Sequence, residues 1–336
     1  MSSDKPFAEL FGQKAVKQRL SFYLSAFEKT SICPFLFLVG AKGLGKTEFA
    51  RQFGYGLKNK DGKRRPFLEL NCSTIKNVEQ FFDQIFIPLI LDNEITVLFD
   101  EAHELPRDLT NAFLTVFNTE KGTQKNLRWR DGEYPFDFKK QTFLFATTEP
   151  DKVFAPLKDR LTTIDFDDYS DAELGQILQS QCEGIIFDAQ SLEELARTSR
   201  GNARSCVMRA KELELWCAAN DKKVFTIEDF GNFCKALGIN PLGVNNIEKK
   251  VLAILRRDGQ ASLNELSAKT GLSRTALQRD VELYLMKKNL IKIDGKRHIT
   301  KDGSNYLDNI NNVKSKTTYA YRGYAKRGRG ALLHDL

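Results

Sequence analysis

Long apolar runs are missing from this 336-residue chain. No stretch approaches the ~18 consecutive apolar residues that a membrane-spanning helix needs, which sets the membrane class aside. The amino terminus, Met1 to Pro6, is short and polar and carries no apolar signal region. Six cysteines (Cys33, Cys72, Cys182, Cys206, Cys217 and Cys234) are scattered without a single C-x-x-C pair. A chain this long needs no disulfide scaffold, so reduced and mostly buried thiols are expected. No internal repeat is present either. These absences together point to a soluble, cytoplasmic protein with no membrane partner.

What remains is globular in composition. The hydrophobic fraction is 41%, with 25 phenylalanines, and 28% of residues are charged, which argues against disorder. The length suits two or three domains. The net charge of +7 is unevenly placed: Leu242–Leu336 holds 19 Lys and Arg against 9 Asp and Glu, and the remainder 32 against 35. A solvated basic face would account for this, but the asymmetry favours a polyanion-binding module in the last third.

Short apolar runs alternate with helical stretches, as an α/β domain with a largely parallel sheet demands. Candidate strands are Phe35–Val39, Phe67–Asn71, Thr96–Asp100, Thr142–Ala146 and Thr163–Phe166. Helices are expected at Gln13–Phe27, Lys46–Leu57, Val78–Leu89 and Leu109–Phe117. After Tyr169 the pattern turns wholly helical, at Asp171–Cys182, Ser191–Thr198, Ala203–Asn220 and Thr226–Leu237. Pro241-Leu242-Gly243 reads as a boundary. The domains expected are 1–168 (α/β), 169–241 (a helical lid), 242–307 (a compact basic unit) and 308–336 (a basic tail).

Gly40-Ala41-Lys42-Gly43-Leu44-Gly45-Lys46-Thr47 is a complete P-loop, placed after an apolar strand and opening a helix. Its glycines let the backbone curl so that N–H groups face phosphate oxygens at the positive end of a helix. ATP contacts are therefore expected from Gly40, Gly43, Leu44, Gly45, Lys46, Thr47 and Glu48. Lys46 would touch the β and γ phosphates, and the Thr47 hydroxyl would ligate Mg²⁺. Some fifty residues on, Ile95–His103 has the form of a Walker B strand. Asp100 would hold Mg²⁺ partly through water, and Glu101 would activate the attacking water. His103 is read as a structural or coupling residue, since the water already has its base.

The remaining motifs fall in AAA+ order. Phe11-Gly12-Gln13 looks like the box that wraps adenine. Ala146-Thr147-Thr148 resembles sensor 1, with Thr148 the better candidate for the γ-phosphate or water. Pro156-Leu157-Lys158-Asp159-Arg160 resembles the RuvB arginine-finger segment, with Arg160 at the finger position. Asp168–Leu174 is similar to the turn into the lid, where Tyr169 lies near the nucleotide. Arg200–Arg204 resembles sensor 2, placing Arg204 on the phosphates. Gly259–Thr300 reads as a winged helix, with helices Leu263–Thr270 and Arg274–Lys288 and a wing around Asp294-Gly295. Departures in the P-loop, after Walker B and in the wing mark a divergent relative, of the kind a phage or other mobile element carries.

The resemblance implies an α/β AAA+ ATPase with a helical lid and a winged-helix domain, using ATP and Mg²⁺ in a homo-oligomeric ring, expected to be a hexamer. It would drive branch migration of Holliday junctions on double-stranded or branched DNA. Arg274, Arg279, Lys292, Lys296, Arg297 and His298 are the DNA-contact candidates. Asp131-Gly132 between alternating apolar residues signals a hairpin. In RuvB a hairpin here docks RuvA, so Leu127, Trp129, Tyr134 and Phe136 are expected to meet a RuvA-like protein, with packing on the domain as the alternative. The tail Asn311–Leu336, with six basic residues and interleaved Tyr319, Tyr321 and Tyr324, suits nucleic-acid contact or a solubilising role. A loader of a clamp or replicative helicase is the rival function, favoured by Thr147–Lys152 and disfavoured by the trailing winged helix. A protein-remodelling ATPase is a weaker rival, since no aromatic pore-loop motif is evident.

Overall fold

The computed structural model describes residues 6–59, 61–118 and 122–310. The tail charges beyond 310 therefore lie outside the described residues.

Five apolar runs form one parallel sheet in the order β2-β3-β6-β1-β7: β1 Leu36–Val39, β2 Phe67–Asn71, β3 Ile95–Asp100, β6 Gln141–Thr147 and β7 Thr162–Asp165. Strand β6 is buried at all its positions and β3 at all but its last. Both faces are covered, which is why these strands read as continuous apolar runs rather than alternating ones. Helix α1 Lys14–Thr30 precedes the strands, helices α2 Lys46–Gly56, α3 Val78–Gln80, α4 Arg107–Val116 and α5 Ala155–Lys158 run between them, and α6 Asp171–Gln181 follows. Every expected strand and helix of this region is present to within a few residues. The register pairs Val39 with Thr147 and Phe99 with Phe145. The carboxyl ends of β1, β3 and β6 therefore lie side by side, where open α/β sheets bind ligands.

Helix α3 continues as a π-helix, Phe81–Ile90, and against it lies the hairpin of β4 Gln124–Trp129 and β5 Gly132–Asp137. Here two expectations need correction. The tight turn is Arg130-Asp131, one residue earlier than expected, with Gly132 already paired to Trp129. The apolar face is also turned inward. Leu127 and Phe136 are buried, Trp129 stacks on Phe82 at 5.4 Å and Phe136 on Phe86 at 4.3 Å, and Tyr134 lies 6.0 Å from Phe82. Arg130 pairs with Glu79 and with Asp83 at the tip. The exposed face is polar, carrying Gln124, Asn126, Arg128, Glu133 and Pro135. Alternation specified that one face is apolar; the phenylalanines of the facing helix decided that it packs at home.

The chain divides into two compact units, one taking the described residues up to 187 with 201–224, the other 188–200 with the described residues from 225. The stretch expected as a single lid, 169–241, is thus shared. Helix α6 and the helix Ala203–Ala219 lie in the first unit, where Cys206 Sγ donates to Leu174 O at 3.3 Å. The helices Ala189–Arg197 and Ile227–Leu237 lie in the second.

In the second unit, helices Asn246–Asp258 and Leu263–Thr270 and a three-stranded antiparallel sheet enclose a core of Val251, Leu252, Leu255, Leu266, Leu277 and Leu285. The helix expected at Arg274–Lys288 comprises Arg274–Ala276, a π stretch Leu277–Glu282, and Leu283–Lys287. Strands Ile291–Asp294 and Lys296–Ile299 form the wing, and a further helix runs over 301–310. Sequence reasoning missed the helix Asn246–Asp258, although Asn245 and Glu248 form a capping box at its start. Glu248 is fully buried and pairs with Arg200 at 2.8 Å, and Arg200 also lies 3.4 Å from the Tyr284 ring centroid.

Candidate functional site

The first unit contains a cavity of about 710 Å³ at the carboxyl end of the sheet. Gly43 and Gly45 curl the loop after β1 with φ of 84° and 91°. Any side chain at Gly43 would collide with Asn202, whose amide a Cβ would approach to 2.4 Å. That closeness is used: Asn202 Nδ2 donates to Lys42 O at 2.5 Å and the Arg204 N–H to Gly43 O at 3.1 Å. The loop preceding the helix Ala203–Ala219 is thereby strapped to the P-loop. Lys46, buried, donates to Gly40 O at 2.8 Å and Ala41 O at 3.0 Å. Burial lowers its pKa below the ordinary lysine value, partly opposed by Glu101 and Asp100.

Thr47 Oγ1 donates to Asp100 Oδ2 at 2.8 Å. A hydroxyl and a carboxylate oxygen held together are the hard, all-oxygen donors that Mg²⁺ takes, so these residues fit the metal. Glu101 follows in the left-handed backbone region, with φ 53° and ψ 50°, and its Oε2 accepts from Thr148 Oγ1 at 3.1 Å. His103 lies beside them with its side chain 7% exposed, its Nδ1 2.9 Å from Thr147 Oγ1 and 3.6 Å from Glu101 Oε2. The structural role expected of it fits this placement.

Most of the expected nucleotide residues line the cavity: Phe11, Gly43, Gly45, Lys46, Thr47, Glu48, Asp100, Glu101, Thr148, Tyr169 and Arg204. Four stand behind its wall. Gly12 packs against Tyr169, Gln13 bonds Asp167 through both ends of its amide, Leu44 O accepts from Tyr169 at 3.2 Å, and Gly40 packs on Phe166. Arg160 is outside the lining, its Nη1 donating to Pro156 O within its own turn. Sequence reasoning missed Ile177, Ser180 and Gln181 on α6 and Val207, Met208 and Lys211 on the next wall. The spacing of Arg204, Val207, Met208 and Lys211 is that of one helical face, a signal that could have found the latter.

In the second unit Arg274, Arg279, Lys292 and Lys296 are exposed and His298 half-buried. Arg279 pairs with the adjacent Asp280 at 2.9 Å. Lys292 and His298 are cross-strand partners on the wing. Arg297 is a correction. It is 8% exposed and bonds buried Glu282 through two nitrogens, at 2.7 and 3.1 Å. An inward-facing strand position and an acid beneath it spend this arginine inside the fold, so it is withdrawn from the DNA-contact set.

Two family models match the chain. That of the ATPase family associated with various cellular activities covers residues 36–167, and that of the RuvB C-terminal winged helix domain covers 241–308. Among curated proteins, the Holliday junction branch migration complex subunit RuvB of Campylobacter concisus is 25% identical over 306 residues, 87% of each chain. That of Wolbachia sp. subsp. Brugia malayi is 23% identical, covering 89% of this chain and 91% of its own. The solved Thermotoga maritima RuvB Holliday junction branch migration motor superposes with a TM-score of 0.71 at 21% identity, covering 90% of this chain and 97% of that one, a likeness of fold. An AAA domain followed by a RuvB-type winged helix, and alignment with RuvB along nearly its whole length, make this chain a divergent relative of RuvB.

Proposed function

We propose that this chain is an ATP-driven DNA motor of the RuvB type, which drives branch migration of Holliday junctions as a ring. One observation carries the reading: Lys46, the Thr47–Asp100 pair, the Glu101–Thr148 pair and Arg204 line one cavity, in a chain that continues into a RuvB-type winged helix.

Lys46 and the loop N–H groups would grip the β and γ phosphates. Thr47 and Asp100 would hold Mg²⁺, which when bound neutralises phosphate charge. Glu101 would orient the attacking water and take its proton, with Thr148, the residue after β6, fixing the carboxylate. Arg204 reaches the cavity from the helix strapped to the P-loop, and so would report phosphate occupancy to that helix. Arg160 would serve a neighbouring subunit's site, the reason for proposing a ring, with six subunits the family-based expectation. In the second unit Arg274, Arg279, Lys292, Lys296 and His298 would meet DNA. The RuvB relatives are named as subunits of a branch migration complex, and a RuvA-like junction-binding protein is the proposed partner. The polar outer face of the hairpin replaces its apolar residues as the surface to test.

The deciding experiment measures ATP turnover without DNA, with linear duplex and with a four-way junction, alongside ATP-dependent junction dissociation. Stimulation by DNA together with dissociation of the junction is expected. ATP turnover indifferent to DNA would overturn the motor reading, and stimulation without junction movement would favour a loader.

A further inference from the structure

The P-loop helix opens with an acid where a phosphate chain would be drawn. Glu48 is the third residue of α2 and lines the cavity. N–H groups at a helix start attract anions, so a free carboxylate there competes with phosphates for the same field and repels them. The carboxylate, however, is bonded from the following turn. Its Oε2 accepts from Arg51 Nη1 at 2.5 Å and its Oε1 from Gln52 Nε2 at 3.1 Å. Arg51 is held in turn by β2, its Nη2 donating to Glu69 Oε2 at 2.8 Å. The hydrogen bond it donates to Glu69, with both acids nearby, raises the arginine's pKa above its ordinary value. Arg51 and Glu69 also line the cavity. The three side chains are 35–41% exposed, so the pairs add little to stability, and their consequence falls on what binds beside them.

We infer that Arg51 is a positioning residue for the nucleotide: it draws Glu48 back from the phosphates and so lets a helix beginning Lys46-Thr47-Glu48 accept a polyphosphate. This rests on the nucleotide-binding reading above. With Arg51 gone, the Glu48 carboxylate is released toward the helix start and opposes the incoming negative charge. Glu69, on a separate strand, sets the direction of the pull.

The test uses the full chain and a fluorescent ATP analogue, with steady-state ATP turnover, for the parent, Arg51→Ala, Glu48→Gln and the double variant. Arg51→Ala should raise Kd and KM about tenfold while kcat changes less than about twofold. The penalty should shrink at about 0.3 M salt, where exposed charges are screened. The double variant should return to within about twofold of Glu48→Gln, because the repelling charge is gone. Glu69→Gln, a milder change, should weaken binding about threefold and be rescued in the same way, which keeps the inference testable if Arg51→Ala does not fold. A double variant as weak as Arg51→Ala would overturn the inference, as would unchanged affinity in Arg51→Ala. A parent that binds no analogue would instead overturn the nucleotide reading itself.

Discussion

In the proposed mechanism Glu101 and Lys46 divide the work of the cavity between water and phosphate, so they should fail differently. Lys46→Ala should lose nucleotide binding, while Glu101→Gln should bind ATP and hardly hydrolyse it. Binding and turnover measured separately check this, and parent-rate turnover by Glu101→Gln would sink the Walker B assignment. Arg297 offers a different contrast. Removing it leaves Glu282, whose side chain is 4% exposed, charged and alone, which should cost about 3–5 kcal/mol in chemical denaturation. Lys292→Ala with Lys296→Ala, both exposed, should leave stability near the parent's but flatten the salt dependence of DNA binding by at most about two units. An unchanged salt slope would remove the wing from the DNA path. The P-loop side of the cavity was legible because a P-loop is written in eight consecutive positions. The partner of Arg297 was not, since Glu282 is fifteen residues away and only the fold brings the two together.

At the scale of elements, the sheet was legible because its central strands β1, β3 and β6 are buried on both faces and rich in apolar residues, while the edge strands β2 and β7 are more exposed. The hairpin was legible only in part. Its alternation announced two strands, yet nothing local says whether an apolar face meets a partner or its own domain. The structure now predicts that Phe136→Ala will cost about 3–5 kcal/mol, the usual range for emptying a buried aromatic site. Trp129→Ser with Tyr134→Ser should likewise lower the melting temperature, by removing one ring stacked on Phe82 and one tilted against it. A melting temperature equal to the parent's, with recruitment of a RuvA-like protein lost, would restore the docking role. The helix Asn246–Asp258 was overlooked although its apolar positions Val251, Leu252 and Leu255 follow helical spacing; its heavily charged composition masked the stripe.

For the whole molecule, the distribution of charge and the order of motifs pointed to a nucleic-acid motor before any coordinates did. Assembly is where one chain is silent, and Arg160 gives it a test. Arg160 lies outside the cavity of its own chain, so its variant should keep ATP affinity and lose turnover. An arginine finger contributes about 10³–10⁵ in rate. Arg160→Ala mixed with Lys46→Ala should regain turnover, because an intact finger on one can serve an intact site on the other. Mixed assemblies that stay inactive at every ratio would count against a shared site.

The stacking between the π-helix and the hairpin sets the unit of exchange between relatives. Trp129 and Phe136 are matched ring by ring to Phe82 and Phe86, and Arg130 to Glu79 and Asp83. A chimaera that imports a relative's hairpin alone would set foreign side chains against these rings and strand both acids. One that imports the segment 78–137 whole would carry lock and key together. Lineages should therefore trade this block intact, with changes at Phe82 answered by changes at Trp129.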